Sequence, residues 1–458
     1  MQSLHLSFLQ KIALKYAHHA MNTAIKRNFV FRFDSQTLMP NPAHPASMLY
    51  IHIPFCHTLC PYCSFHKYIY DKSVAEAYFK ALRLEIEAVK ARGFDFERIV
   101  VGGGTTLINE GELLKTLELC KKLFSVREIS CESDPNHIEP HKLAQFRGLI
   151  TRLSCGVQSF DDEILQKIGR YGKFGSSSEL IEKLEKANGI LPILSIDLIF
   201  NFPAQSESQL RNDLAIAKKI APQQITTYPL MKSPLTQTKI ANALGESAKD
   251  NEYAFYRVIC DEFSGYERNN AWSFSVRDSR QDSQQNSQVD SKQDSQNILN
   301  DEYVSYHNQY LGVGSGAFSF MEGKLFVNAF NLKDYATRIS SAKNAKNIRS
   351  ANIANASFKR SDILRYMFLT KLFSGAVNLG SFDRAHNCSA KRDLFALLNG
   401  LRLAGAITQS GEIIKCTDFG RYITLTAMKD FYAGMDMVRA VFRDDAKCSG
   451  KEILKIIN

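Results

Sequence analysis

The chain has 458 residues, with 57 Lys and Arg against 47 Asp and Glu, a formal net charge of +10 and a sequence pI near 9.0. That length asks for about three domain-sized units, or two large domains with appendages, and the 45% apolar and 23% charged residues exclude a disordered, collagen-like or coiled-coil chain. The excess of positive charge is not gathered into a compact Lys/Arg run or a basic stripe interleaved with aromatics, so nucleic acid is not an expected partner.

Residues 1–47 read as an N-terminal helical extension, with Phe8, Ile12, Leu14, Tyr16 and Ala20 giving an amphipathic pattern, ended by the Pro-containing connector Met39–Ser47. The first twenty residues lack an uninterrupted apolar region with a small-residue cleavage site. No stretch reaches the roughly eighteen continuous apolar residues of a membrane span, so no transmembrane segment and a soluble, cytoplasmic protein are expected.

Residues 48–264 alternate short β-rich runs with helical patterns. The runs are MLYIHI, RIVVGGG, EISCES, LITRLSCGV, ILSIDLIFNF and QQITTYPL, and helices are expected around Val74 to Ala91 and Glu112 to Leu123. Such alternation predicts an α/β fold with a parallel sheet, open or closed into a barrel, whose ligand site lies at the strand C-termini.

Residues 265–360 read as a barrel extension or linker. Within them, from Ser275 to Asn297, Ser recurs at every fourth position amid Gln, Asp and Asn, a composition that buries no core and predicts a disordered insertion. A glycine-rich run, LGVGSGAFSF, follows. Residues 361–458 give a helix, helix, β-hairpin pattern expected to form a smaller α+β, winged-helix-like domain, with Ser410-Gly411 as the hairpin turn.

Chemistry concentrates in YIHIPFCHTLCPYCSF, Tyr50 to Phe65, where Cys56, Cys60 and Cys63 follow directly on a β-rich run. The other seven of ten cysteines are scattered and read as reduced, mostly buried thiols. Three thiolates from one loop suit three irons of a cubane and leave the fourth iron open, whereas a structural zinc needs four protein ligands. His57 or His66 would be the candidate to complete a zinc site. A second motif, VVGGGTT at Val100 to Thr106, places glycines at a strand end, where backbone can approach a ligand closely. It is neither a dinucleotide fingerprint, since Leu107 stands at the third Gly position, nor a P-loop, since no Lys follows. Isolated polar residues also end apolar runs: Glu132, Gln158 and Asp197, with Arg170 after the next helix.

The Cys spacing, with Tyr62 before the third Cys, resembles the radical S-adenosylmethionine (SAM) superfamily. The wording YIHIPFC narrows the likeness to its oxygen-independent coproporphyrinogen III oxidase-like family. The resemblance implies a partial (β/α)6 barrel over residues 48–264, a 4Fe-4S cluster on Cys56, Cys60 and Cys63, and SAM chelated to the open iron. It further implies that Gly102, Gly103, Gly104 and Thr105 hold the methionine amino group, and that Tyr50, Glu132, Gln158, Arg170 and Asp197 line the cofactor pocket. The implied activity is reductive cleavage of SAM to a 5′-deoxyadenosyl radical acting on a tetrapyrrole, fed by a low-potential electron donor such as flavodoxin or ferredoxin.

Three departures bear on the reaction. Phe65 stands where coproporphyrinogen oxidases carry a fourth Cys. SYHNQYLGVGSGAF shows His307, Asn308 and Tyr310 of a haem-chaperone pattern, with Leu311 in place of Trp, which makes His307 a candidate haem ligand. TTYPLMKSP is similar to the haem-degrading radical methyltransferases of the same group. The expected function is therefore that of a radical SAM protein of tetrapyrrole metabolism, with haem chaperone and haem-degrading methyltransferase as alternatives.

Overall fold

A computed structural model describes residues 6–33, 48–234, 236–245, 250–276, 309–340, 351–444, 448 and 452–456. Six strands run parallel and neighbour one another in chain order: Met48–Ile53, Arg98–Gly103, Glu128–Ser133, Arg152–Gln158, Ile193–Phe200 and Gln224–Pro229. Helices cross between them, so all six C-terminal ends emerge on the same side. The first strand is buried along its whole length, as expected of a parallel sheet covered on both faces.

The crossover helices are specified locally. Lys72–Ala91 starts at Asp71, whose side chain accepts the Val74 N–H, and buries Ala75, Phe79, Leu82, Ile86 and Val89 at intervals of three and four residues. Each fully buried aliphatic or aromatic side chain of that stripe contributes about 1.5–3 kcal/mol. Glu207–Ile220 starts in a capping box between Ser206 and Gln209 and stops where Ala221 turns left-handed.

The sheet continues at both edges. Beside the sixth strand lie Ser273–Ser275 and Glu267–Arg268, both antiparallel. Ser275, expected to open the insertion, instead ends a strand: it pairs with Gln224 and is 1% exposed, because its apolar neighbour Phe274 anchors that strand in the core. Residues 277–297 lie outside the described residues. Beside the first strand, Tyr310–Val313 adds in parallel, with Gly312 opposite Tyr50. Phe318–Met321, Lys324–Asn328 and Asn352–Ser357 then follow antiparallel, and beyond them come Val30–Phe33 and Ile453–Lys455. The chain thus forms an α/β fold in which residues after 309 extend the sheet from its first strand.

The C-terminal part is α+β: a three-stranded sheet, Ala376–Asn378, Ile413–Cys416 and Ile407–Ser410, packed with helices including Arg360–Phe373 and the long Asp418–Phe442. Its hairpin turns at Gly411-Glu412, one residue later than expected. Ser410 pairs with Ile413, and Gly411 takes φ +60°, the left-handed geometry a two-residue turn needs. The helix Phe8–Asn28 lies along Asp418–Phe442, tied to it by His18 to Asp430 at 2.8 Å, and Arg27 ties it to Asp362 of Arg360–Phe373. Side chains of the first strand alternate between two cores: Leu49, Ile51 and Ile53 join the crossover helices, while Met48 and Tyr50 join the C-terminal part. No helix among the described residues is long and apolar enough to cross a membrane.

Candidate functional site

The loop after the first strand carries Cys56, Cys60 and Cys63, and the ends of the next strands surround it. Gly104 N–H donates to Ile53 O and Thr105 N–H to Phe55 O, each at 2.7 Å, so the glycine segment is stitched to the backbone that precedes Cys56. A Cβ on Gly104 would fall 2.3 Å from Phe55 O, and one on Gly103, which has φ +119°, would strike the His52 ring. Only glycine allows this approach. Thr105 Oγ1 lies 3.8 Å from Cys56 Sγ and also donates to Asp134 at 2.9 Å.

Glu132 closes the next strand. Its carboxylate accepts the Gly103 N–H at 3.2 Å, and burial raises its pKa against that bond and the charge of Arg152. Gln158 sits at a bulge with φ +78°, a backbone conformation unusual for a residue with a side chain, so the fourth strand ends in a strained corner. Arg170 is buried: Nη1 donates to Tyr62 Oη at 3.2 Å and lies 3.8 Å from Cys60 Sγ, and Nη2 bonds Gly156 O. The Phe174 ring lies 4.2 Å from its guanidinium carbon. Asp197 accepts from Ser154 Oγ at 2.7 Å and from Ser195 Oγ at 3.2 Å, with Arg152 donating to Ser154 behind it. These contacts bring Cys56 to Thr105, Cys60 to Arg170, and Gly103 to Glu132. Asp197 stands a strand further on, and His307 lies outside the described residues.

Tyr50 donates to His52 Nδ1 at 2.9 Å, because the opposite ring nitrogen of His52 donates to the carbonyl of His66 at 3.0 Å. Burial pushes His52 down to about 4, so it is a neutral acceptor, and burial together with Glu132 raises Tyr50. The two histidines that would complete a zinc site are engaged elsewhere. His66 packs against Phe330 at 4.5 Å and bonds Ser315 at 3.2 Å, and His57 stacks on His137. Among the described residues no three His, Cys, Asp or Glu side chains gather around a point as a single metal ion requires.

Several neighbours of the loop are not evident from sequence. Asp134 and His137 form a buried pair at 2.7 Å; burial would raise Asp134, but His137, Lys173 and Thr105 hold it down at about 2. Their spacing within SDPNH was the available signal. The last long helix reaches across to the Cys loop. Arg439, paired with Asp436 at 2.6 Å, has its guanidinium 5.1 Å from the ring centre of Phe65, which is 38% exposed. Just past the helix, Arg443 donates to Ser64 O at 3.0 Å. No local pattern announces contacts across some 380 residues of chain.

The family model described as the Radical SAM superfamily matches residues 50–216, the segment that builds this site. The heme chaperone HemW of Bacillus subtilis is 27% identical over 303 residues, covering 64% of this chain and 75% of that protein. The oxygen-independent coproporphyrinogen III oxidase of Escherichia coli is 27% identical over 327 residues, covering 68% and 69%. The solved structure of coproporphyrinogen III oxidase (HemN) from Escherichia coli, described as a radical SAM enzyme, superposes with a TM-score of 0.66 at 24% identity, over 84% of this chain and 90% of that one. Residues 50–216 thus match the radical SAM superfamily model, and the fold of the chain is that of the solved HemN structure. In sequence it is similar to both HemW-like and HemN-like proteins.

Proposed function

We propose that the chain holds a 4Fe-4S cluster on Cys56, Cys60 and Cys63 and SAM beside it, and that it handles a tetrapyrrole as a haem carrier. The match of residues 50–216 to the radical SAM model supports both cofactors. The donor set fits them: three thiols on one loop, a buried guanidinium near Cys60 and a hydroxyl near Cys56, both suited to hydrogen-bonding thiolate sulfur. The glycine segment is a cradle that a side chain would fill, and Glu132, with one oxygen on Gly103 N–H, has acceptor capacity left for hydroxyl groups. When bound, the pair supplies one-electron radical chemistry. The protein's own part is to orient the partners at the strand ends, to keep Arg170 and Glu132 in place, and to cover the loop with the last helix.

Phe65 carries the choice of carrier over decarboxylase. It occupies the position of a fourth Cys and presents an exposed ring under the Arg439 guanidinium, a pairing suited to a flat macrocycle bearing carboxylates. The likeness to heme chaperones supports the same reading. The test is anaerobic incubation of the reconstituted protein with SAM, reductant and either coproporphyrinogen III or haem. Carriage expects stoichiometric haem binding, a haem spectrum altered by His307→Ala, and no protoporphyrinogen. Multiple-turnover conversion of coproporphyrinogen overturns the use made of Phe65, and a ring-opened product with free iron assigns the methyltransferase activity instead.

A further inference from the structure

The helix Phe8–Asn28 has two different apolar faces. The inner one, with Ala13, Leu14, Ala17, Met21 and Ile25, belongs to the C-terminal core. The outer one is open: Phe8 is 77% exposed, Leu9 70%, Ile12 48% and Tyr16 73%. Phe8, Ile12 and Tyr16 follow one another at four-residue spacing and form a single stripe, with Leu9 at its side. Four of the thirteen large apolar side chains that the described residues expose thus fall on the first turns of one helix, a concentration that scattered surface residues do not show. The Lys11 and Lys15 positions run along the flank of the stripe, both exposed, and the helix FLQKIALKYAHHAMNTAIKRN contains no Asp or Glu.

We propose that this face docks on an anionic lipid bilayer surface. Phe8, Leu9, Ile12 and Tyr16 enter the boundary between headgroups and acyl chains, and Lys11 and Lys15 lie against anionic headgroups. Charge complementarity selects this occupant: a 21-residue helix with four Lys or Arg and no carboxylate, on a chain of net charge +10, matches a negative surface. A second copy is disfavoured, because a two-fold contact through the stripe would bring the Lys11 and Lys15 rows of both copies together. The helix is built as a firm platform. Ser7 and Gln10 close a capping box at its exposed end, and His18 and Arg27 pin its inner side to Asp430 and Asp362. The proposal does not depend on the cofactors or on haem.

The test is flotation of the full-length protein with large unilamellar vesicles of phosphatidylcholine alone and of phosphatidylcholine with phosphatidylglycerol. Binding to the mixed vesicles, weakened by high salt, and little binding to the neutral ones is expected. Each lysine near the surface contributes about fivefold in affinity, so Lys11→Glu with Lys15→Glu should weaken binding by roughly 25-fold or more. Phe8→Ser with Ile12→Ser should lose it while keeping the melting temperature, since both side chains are exposed. Wild-type protein that ignores anionic vesicles, or double variants that bind as wild type does, overturns the proposal. A dimer by light scattering that Phe8→Ser with Ile12→Ser dissociates would assign the stripe to a second copy and overturn it equally.

Discussion

Gly104→Ala should damage the site through backbone alone. The new Cβ would lie 2.3 Å from Phe55 O and 2.9 Å from Phe55 C and N, against the 3.4 Å at which ordinary contact begins. Neither partner is the end of a flexible side chain, so the two strands must part by about 1 Å. That opening falls on the bonds from Gly104 N–H to Ile53 O and from Thr105 N–H to Phe55 O. Weakening two buried backbone bonds, each costing about 1–3 kcal/mol when its groups are left unsatisfied, predicts a loss on the order of 2–5 kcal/mol. It also moves Thr105 away from Cys56. Gly111→Ala is the internal control: it makes the same chemical change near the start of the helix Glu110–Leu123, with nothing within 4 Å, and should stabilise by up to about 1 kcal/mol. Chemical denaturation of both variants, with iron content after anaerobic reconstitution, makes the comparison. If Gly104→Ala and Gly111→Ala denature alike and carry equal iron, the stitched contact does not hold the loop.

Cys60→Ala should leave the fold and lose most bound iron, checked by metal analysis beside circular dichroism; zinc without iron in the wild type would defeat the cluster assignment. Glu132→Ala should weaken SAM binding by about 1.5–3 kcal/mol in titration calorimetry while iron stays constant, as for a lost hydrogen bond to a charged group. Asp213 gives a pH signature. It is buried, accepts from Ser159 Oγ at 2.9 Å and Phe160 N–H at 2.7 Å, and burial raises it to about 7. A carboxyl whose folded pKa lies above its unfolded value binds its proton more tightly when folded. Its stabilising contribution is complete below the unfolded pKa and falls as pH rises toward about 7. Between about pH 5 and 7.5 the wild type should therefore lose on the order of 2 kcal/mol that Asp213→Asn does not lose. Parallel stability curves for the two proteins would show that the carboxyl is ionised throughout.

The parallel core was legible because its signals are local. Runs such as ILSIDLIF and the intervening 3.6-period stripes announce buried strands and docked helices without reference to distant chain. The Cys loop and the glycine segment were legible for the same reason. What escaped was set by tertiary partners. Val30–Phe33 is only four residues long and is a strand because Asn352–Ser357 and Ile453–Lys455 flank it. Arg439 and Arg443 look like ordinary polar residues of a helix end until the fold brings Phe65 and Ser64 beneath them. The hairpin turn was misplaced by one residue because Ser410-Gly411 and Gly411-Glu412 both offer a glycine, and the register of Ile407 against Cys416 decides between them.

The placement of Val30–Phe33 between Asn352–Ser357 and Ile453–Lys455 also orders events during synthesis. The six parallel strands up to Pro229 pair with partners made just before them, so that unit can form as the chain leaves the ribosome. The strand at residues 30–33 is made before them yet has no neighbour until more than 300 residues later. While the parallel strands are made this short apolar strand waits unpaired, a natural substrate for a chaperone that binds nascent chains. Sealing this edge joins segments more than 300 residues apart, so a chain halted before Asn352 should hold a formed core and an unsealed edge.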